Sequence, residues 1–256
     1  MNNQTIWDIA YAQSAMDCGC QPEDFRKTEN VITLSRANPK ARRYLPLPLP
    51  CDLVSYGSNV VAQTAPGLED VVGEYLSLFS TEHCFETPAI HKLDQLLAPF
   101  SYQVCFQAEY FLPDVSKVQQ QACDYRLKML YPHDFAKLYL PQWSNALCEQ
   151  RKELDVLGVG AFDGDRLVGF AGCSADCGDM YQIGVDVLPE YRGRGIAASV
   201  TSRLALEVLA MEKVPFYCAA WSNIGSVRNA IACGFRPAWA ELTAREKAYV
   251  RQMAKI

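Results

Sequence analysis

Between Val187 and Ala198 the sequence gathers residue types that suit a phosphate group. Tyr181-Gln-Ile-Gly-Val-Asp-Val187 reads as a strand, Leu188-Pro189 stops it, Glu190-Tyr-Arg-Gly-Arg-Gly195 forms a loop, and a helix opens at Ile196-Ala197-Ala198. Backbone N–H groups at a helix start have no partner within the helix, and the helix dipole adds partial positive charge. Glycine lets an anion approach the chain closely, so Gly193 and Gly195 beside Arg192 and Arg194 suit an anion-binding turn, with a glycine-rich loop that only turns the chain as the alternative. A second group lies downstream, where Trp221-Ser222-Asn223 leads into a short helix ending at Cys233-Gly234-Phe235. Asn223 or Ser222 can cap that helix, and Gly234 suits the left-handed position beyond its end.

The elements that hold these residues are legible. Ile196, Val200, Leu204 and Val208 recur at i, i+4 spacing, with Arg203 and Glu207 on the polar side. Pro215 is expected to end that helix before a strand at Phe216-Tyr-Cys-Ala-Ala220. Three phosphate-binding loops compete for the turn. A P-loop requires Gly-Lys-Ser/Thr, which is missing. A Rossmann fingerprint can be forced from Gly193-x-Gly195-x-x-Ala198, but the next strand ends Ala219-Ala220-Trp221 without the acidic residue that holds a ribose. The third fits best: Arg192-Gly-Arg-Gly195-Ile-Ala197 after Val187-Leu-Pro189 resembles the acetyl-coenzyme A loop of the GNAT N-acetyltransferase superfamily. Asn223-x-x-Ser226 and Gly234-Phe235 match that superfamily's last helix, in order and at the expected distance.

The resemblance covers the C-terminal half. It implies an α+β fold, an α/β/α-layered GNAT domain with a mixed, mostly antiparallel sheet. The implied reaction is acetyl transfer from acetyl-CoA to a primary amine of a small molecule, by direct attack in a ternary complex. Pyrophosphate would rest on the N–H groups of Arg192, Gly193, Arg194, Gly195, Ile196 and Ala197. An N–H near Val187-Leu188 would polarise the thioester carbonyl, and Asn223 would bond the coenzyme from the other side. Proton handling departs from the family. A tyrosine often stands four positions before the Gly of Gly-Phe, where this chain has Ala230; a carboxylate often lies early in the coenzyme strand, where it has Tyr181 and Gln182. Period-two alternation places Gln182, Gly184 and Asp186 on one face, so Asp186 is the candidate base, with a structural carboxylate as its alternative role. Tyr181, Tyr217, Cys218 and Ser226 are candidate acids, Tyr181 and Ser226 foremost, with water as the alternative. Cys218 as a covalent relay competes with Cys218 as a small buried hydrophobe.

Upstream, a helix is predicted over Thr5–Met16, a strand over Val31–Leu34 and an extended, proline-studded connector over Arg36–Pro50. Strand Leu53–Ala62, helix Leu68–Phe79, strand His83–Glu86, helix Pro88–Leu97 and strand Gln103–Leu112 echo the order after Tyr181, which suggests a degenerate GNAT-like half, with an unrelated small α+β domain as the alternative. Residues Pro113–Ala122 read as a linker, giving an N-terminal α+β domain at 1–121 and an acetyltransferase domain at 122–256. A strand at Tyr125–Leu130, helices at Pro132–Leu140 and Trp143–Leu154, and a hairpin turning at Asp163-Gly-Asp165 complete the reading.

Half of the 256 residues are apolar, 21% are charged and the net charge is −5, which argues against nucleic acid or an anionic membrane as partner. Without a basic start and apolar core at the N-terminus, or a long apolar run, the expected compartment is the cytoplasm. The 11 cysteines are then reduced thiols, and with only three histidines no metal site is expected. The expected partners are acetyl-CoA and a small amine, with a homodimer left open. A non-catalytic acyl-CoA-binding regulatory protein and a Rossmann-type dinucleotide enzyme are the competing readings.

Overall fold

A computed structural model of the chain describes residues 1–253. The elements run α1 (Asn3–Cys18), β1 (Val31–Leu34), β2 (Cys51–Ser55), β3 (Val61–Thr64), α2 (Glu69–Leu78), α3 (Thr87–Leu97), β4 (Tyr102–Pro113), β5 (Arg126–Leu130), α4 (Pro132–Phe135), β6 (Asp155–Asp163), β7 (Arg166–Ser174), β8 (Met180–Val187), α5 (Ile196–Ala210), β9 (Val214–Ala219), α6 (Ile224–Ala232), β10 (Phe235–Glu246) and α7 (Lys247–Met253). They divide into two compact units, one of Met1–Ile9 with Phe111–Pro237, the other of Ala10–Tyr110 with Ala238–Ile256. The expected boundary at 121/122 does not coincide with this division: residues 111–121 group with the coenzyme half, and the chain from Ala238 onward groups with residues 10–110.

In the first unit the sheet order is β9-β8-β7-β6-β5. Strands β5 to β8 pair antiparallel, while β8 and β9 are parallel. A dinucleotide-binding Rossmann sheet is mostly parallel, so the mixed order removes that reading. Helix α5 lays Ile196, Val200, Leu204, Ala205 and Val208 against Val159, Ala161, Val168, Ala171 and Ile183. Each aliphatic side chain as large as leucine or valine buried there contributes roughly 1.5–3 kcal/mol. A smaller cluster joins Leu130, Phe135, Trp143, Ala146, Leu147 and Phe170.

In the second unit the order is β1-β3-β2-β10-β4, with β1 parallel to β3 and β2 antiparallel to both neighbours. Every residue of β2 and β3 is buried, so alternation along β2 separates two layers rather than core from solvent. Cys51 and Leu53 join Leu242, Ala244 and the residues of α2 and α3 in an apolar core. Asp52 belongs to a buried polar layer with Glu241, Thr243, Gln63, Asp17 and Arg42. Arg42 Nη1 donates to Asp17 Oδ2 at 2.6 Å and its guanidinium lies 5.1 Å over the Trp239 ring. Asp52 accepts from Thr243 Oγ1 at 2.6 Å and Gln63 Nε2 at 3.1 Å.

Several local expectations change. The strand predicted over Leu53–Ala62 is a hairpin, because Ser55 Oγ donates to the Asn59 carbonyl at 2.6 Å and folds Tyr56–Ser58 into a turn. Where the sequence predicts a strand over His83–Glu86, the 3-10 turn Thr81–His83 runs on into further turn residues, so the echo of the coenzyme half fails at that element. Helix α5 ends at Ala210, and Pro215 sits inside β9 in register with Tyr181. Residues Trp143–Leu154 are 3-10 turns joined by a turn at 144–146: Asp155 takes the Cys148 N–H that a helix would have used, while Asp186 holds those of Asn145 and Ala146.

Candidate active site

The register of β8 with β9 ends at Ile183↔Tyr217, yet β8 continues to Val187 and β9 to Ala219. Beyond that pair the strands part, and one edge of β8 from Gly184 to Val187 opens into the fork. Antiparallel pairing fixes which groups face it. The Leu188 N–H donates to the Val168 carbonyl at 3.0 Å, so alternation turns the N–H groups of Asp186 and Gly184 toward β7 as well. The N–H groups of Val187 and Val185 therefore point into the fork. This corrects the expectation at Leu188, whose donor is already used, and brings in Val185, which the sequence reading omitted.

At the wide end of the fork, Gly193 and Gly195 adopt φ of 76° and 74°, left-handed conformations that favour glycine. Gly195 is the residue before α5, and no side chain caps the helix. The N–H groups of its first turn are thus left for a ligand. Arg192 Nε donates to the Val187 carbonyl at 3.3 Å, which folds the loop back on the strand. Arg194 is held in place by Tyr125 Oη at 2.9 Å and the Glu190 carbonyl at 3.2 Å, with its guanidinium 5.2 Å over the Tyr191 ring. Glu190, itself paired with Arg166 at 2.6 Å, is a structural charge of the loop. Tyr125 and Tyr191 carry no motif that would have singled them out.

The other side of the fork is formed by β9 and α6. Asn223 Oδ1 accepts from the Ser226 N–H at 3.2 Å and caps α6, which leaves its amide NH2 to face outward. Ser226 Oγ and Tyr217 Oη are 2.7 Å apart. Burial raises the Tyr217 phenol above its ordinary pKa and keeps it protonated, against the opposing effect of bonds to Ser226 and Asn229. Ala230 is fully buried in the α5–α6 core. Tyr181 packs against the same core two residues on the closed side of the last registered pair, away from the open edge. Cys218 Sγ accepts from Gln182 Nε2 at 3.2 Å.

Asp186 takes its alternative, structural role. Oδ2 accepts the N–H groups of Asn145 and Ala146 at 2.9 and 3.0 Å, and Oδ1 accepts Asn145 Nδ2 at 2.6 Å. The loop so held lies hard against the sheet. A Cβ on Gly184 would fall 1.8 Å from the Asn145 carbonyl oxygen, and one on Gly172 would fall 2.2 Å from that of Ala146. Among the described residues no group of three or more His, Cys, Asp or Glu is placed to hold a metal, and no helix is long and apolar enough to cross a membrane.

Comparisons with known proteins agree in kind. The GNAT acetyltransferase family profile matches residues 88–239. No curated protein matches the sequence. Among solved structures, a GCN5-related N-acetyltransferase-like protein from Streptococcus suis is 19% identical, with a TM-score of 0.45 over 61% of this chain and 69% of that one. A GNAT-family protein from Novosphingobium aromaticivorans is 21% identical, with a TM-score of 0.43 over 56% of this chain and 66% of that one. A GCN5-related N-acetyltransferase from Kribbella flavida is 13% identical, with a TM-score of 0.46 over 58% and 62%. The chain thus spans about two thirds of the length of these structures. With the family profile covering more than half of the sequence, this chain belongs to the GNAT acetyltransferase family.

Proposed function

We propose that the protein transfers an acetyl group from acetyl-CoA to a primary amine of a small molecule, by direct attack in a ternary complex. The observation that carries this reading is the open edge of β8 past Ile183↔Tyr217, continuous with the uncapped start of α5. Four residues of β8 span about 13 Å at ~3.3 Å each, the reach of a pantetheine arm with its two amides. Pyrophosphate rests on the N–H groups from Gly193 to Ala197, with Arg192 and Arg194 supplying charge. The Val187 N–H and the Asn223 amide bond the arm. The Val185 N–H, the free donor nearest the closed end, stabilises the oxyanion as the amine attacks. Asp186 orients the Asn145–Ala146 loop, and the attacking nitrogen gives its proton to water. Compartment and oligomeric state, expected as cytoplasmic and open to a homodimer, play no part in this chemistry.

Equilibrium binding tests the site. Coenzyme A should bind, and Arg192→Ala should weaken it about tenfold or less, the loss of one charge-assisted bond at roughly 1.5–3 kcal/mol being softened by exposure. Equal affinity for coenzyme A and NAD would sink the reading. Thiol release from acetyl-CoA over a panel of amines then separates an enzyme from an acyl-CoA-binding regulator. The second reading keeps one specific support, the buried Ala230 where relatives often carry a tyrosine.

A further inference from the structure

Resting on the acetyl-transfer reading, we infer that Ser226 delivers the proton to the departing coenzyme A sulfur, and that Tyr217 is the positioning residue that aims it. Tyr217 is the last β9 residue in register with β8, so it stands at the closed end of the fork, where a pantetheine arm running in from the α5 start ends. Its ring is buried on the α5–α6 side and its hydroxyl meets Ser226 Oγ at 2.7 Å. Ser226 is only partly buried, in the first turn of α6, whose cap is Asn223.

Asn229, one turn further along α6, donates through Nδ2 to Thr201 Oγ1 at 3.1 Å. The Tyr217 and Ser226 hydroxyls can bond in either sense; in the sense this role requires, the buried phenol gives its hydrogen to Ser226 Oγ. The serine's own hydrogen is then left to point into the fork. The pair supplies a hydroxyl on α6 where Ala230 offers none.

The balance of the step is simple. The tetrahedral adduct collapses, its C–S bond breaks and the bonding pair goes to sulfur. Sulfur takes a proton from Ser226 Oγ, which recovers one from the water that received the amine's proton. Nothing is oxidised or reduced. Tyr217 keeps its own proton throughout, as its raised pKa requires.

Binding of coenzyme A and of desulfo-coenzyme A, measured by calorimetry on the full chain, tests this without knowing the amine. The wild type should prefer coenzyme A about fivefold, the scale of one neutral hydrogen bond. Ser226→Ala should abolish the preference. Tyr217→Phe, which keeps the ring in the core, should reduce it and add nothing in the Ser226→Ala background. Equal binding of the two ligands by the wild type, or additive effects of the two substitutions, would overturn this role alone. Failure of both ligands to bind would overturn the transferase reading and this inference with it. Where an acceptor amine is in hand, Ser226→Ala should lower kcat 10- to 100-fold with the acetyl-CoA KM unchanged; a rise in KM alone would count against it.

Discussion

Glu241 shows most directly how a single group sets a property of this protein. It is buried on β10 beside Asp52 on β2, Asp17 on α1, Arg42 on the connector between β1 and β2, and Tyr110 on β4, so three carboxyl groups share one guanidinium. Burial, and then the nearby Asp52, lift Glu241 to about 8; burial lifts Asp52 to about 6. A carboxyl group whose folded pKa lies above its unfolded value binds more protons folded than unfolded. The contribution of these two groups to stability is therefore fully present at low pH and is lost as pH rises through 6 toward 8. Glu241→Gln, which keeps the shape and removes the ionisation, should flatten the dependence of Tm on pH between 5 and 9. At about 2–4 °C per kcal/mol for a chain of this size, thermal denaturation resolves the difference. A wild-type Tm that rises over the same interval would show that Glu241 is ionised throughout.

At the scale of elements, Gly184 and the loop it supports are the part of the site that no motif announced. The loop packs where a side chain would stand, so Gly184→Ala has to move backbone, and a loss of about 2–3 kcal/mol is expected by denaturant unfolding. Coenzyme A affinity should fall less than the affinity for an acceptor, because the pyrophosphate turn lies at the other end of the open edge. An unchanged unfolding midpoint would show that the loop shifts freely. The glycine–arginine turn, α5, the Asn223 cap and the Gly234 terminus were legible because each depends on neighbours within a few residues. The role of Asp186 was not. Its partners, Asn145 and Ala146, lie 41 and 40 residues away, and period-two alternation gives a face without saying what covers it. The occupied Leu188 donor was hidden for the same reason, since only the pairing of β8 with β7 decides which way each N–H points. At Leu53–Ala62 the apolar residues on both sides of Gly57 masked a hairpin, because both strands are buried on both faces and their sequences carry no contrast between a core face and a solvent face.

Considered as a whole, the molecule is built from two units, each assembled from two stretches of sequence. A fragment of residues 122–256 would hold β5 to β9 but would lack 1–9 and 111–121, which belong to the same unit. It would also carry Leu242 and Ala244, fully buried against Leu53 and the α2–α3 residues in the intact chain, with nothing to cover them. Such a fragment is expected to aggregate or bind a hydrophobic dye, whereas the full chain melts cooperatively; a monomeric, sharply melting fragment on size exclusion and circular dichroism would show that the two stretches are dispensable. The same interleaving orders events on the ribosome. Strand β2 emerges early, but the part of β10 it pairs with, Ala240 to Ala244, is made only after every residue of the coenzyme-binding unit has been translated. The unit whose strands are made first therefore closes last, and until its final partner clears the exit tunnel β2 waits with one edge unsatisfied, the interval in which a nascent chain is most exposed to mispairing.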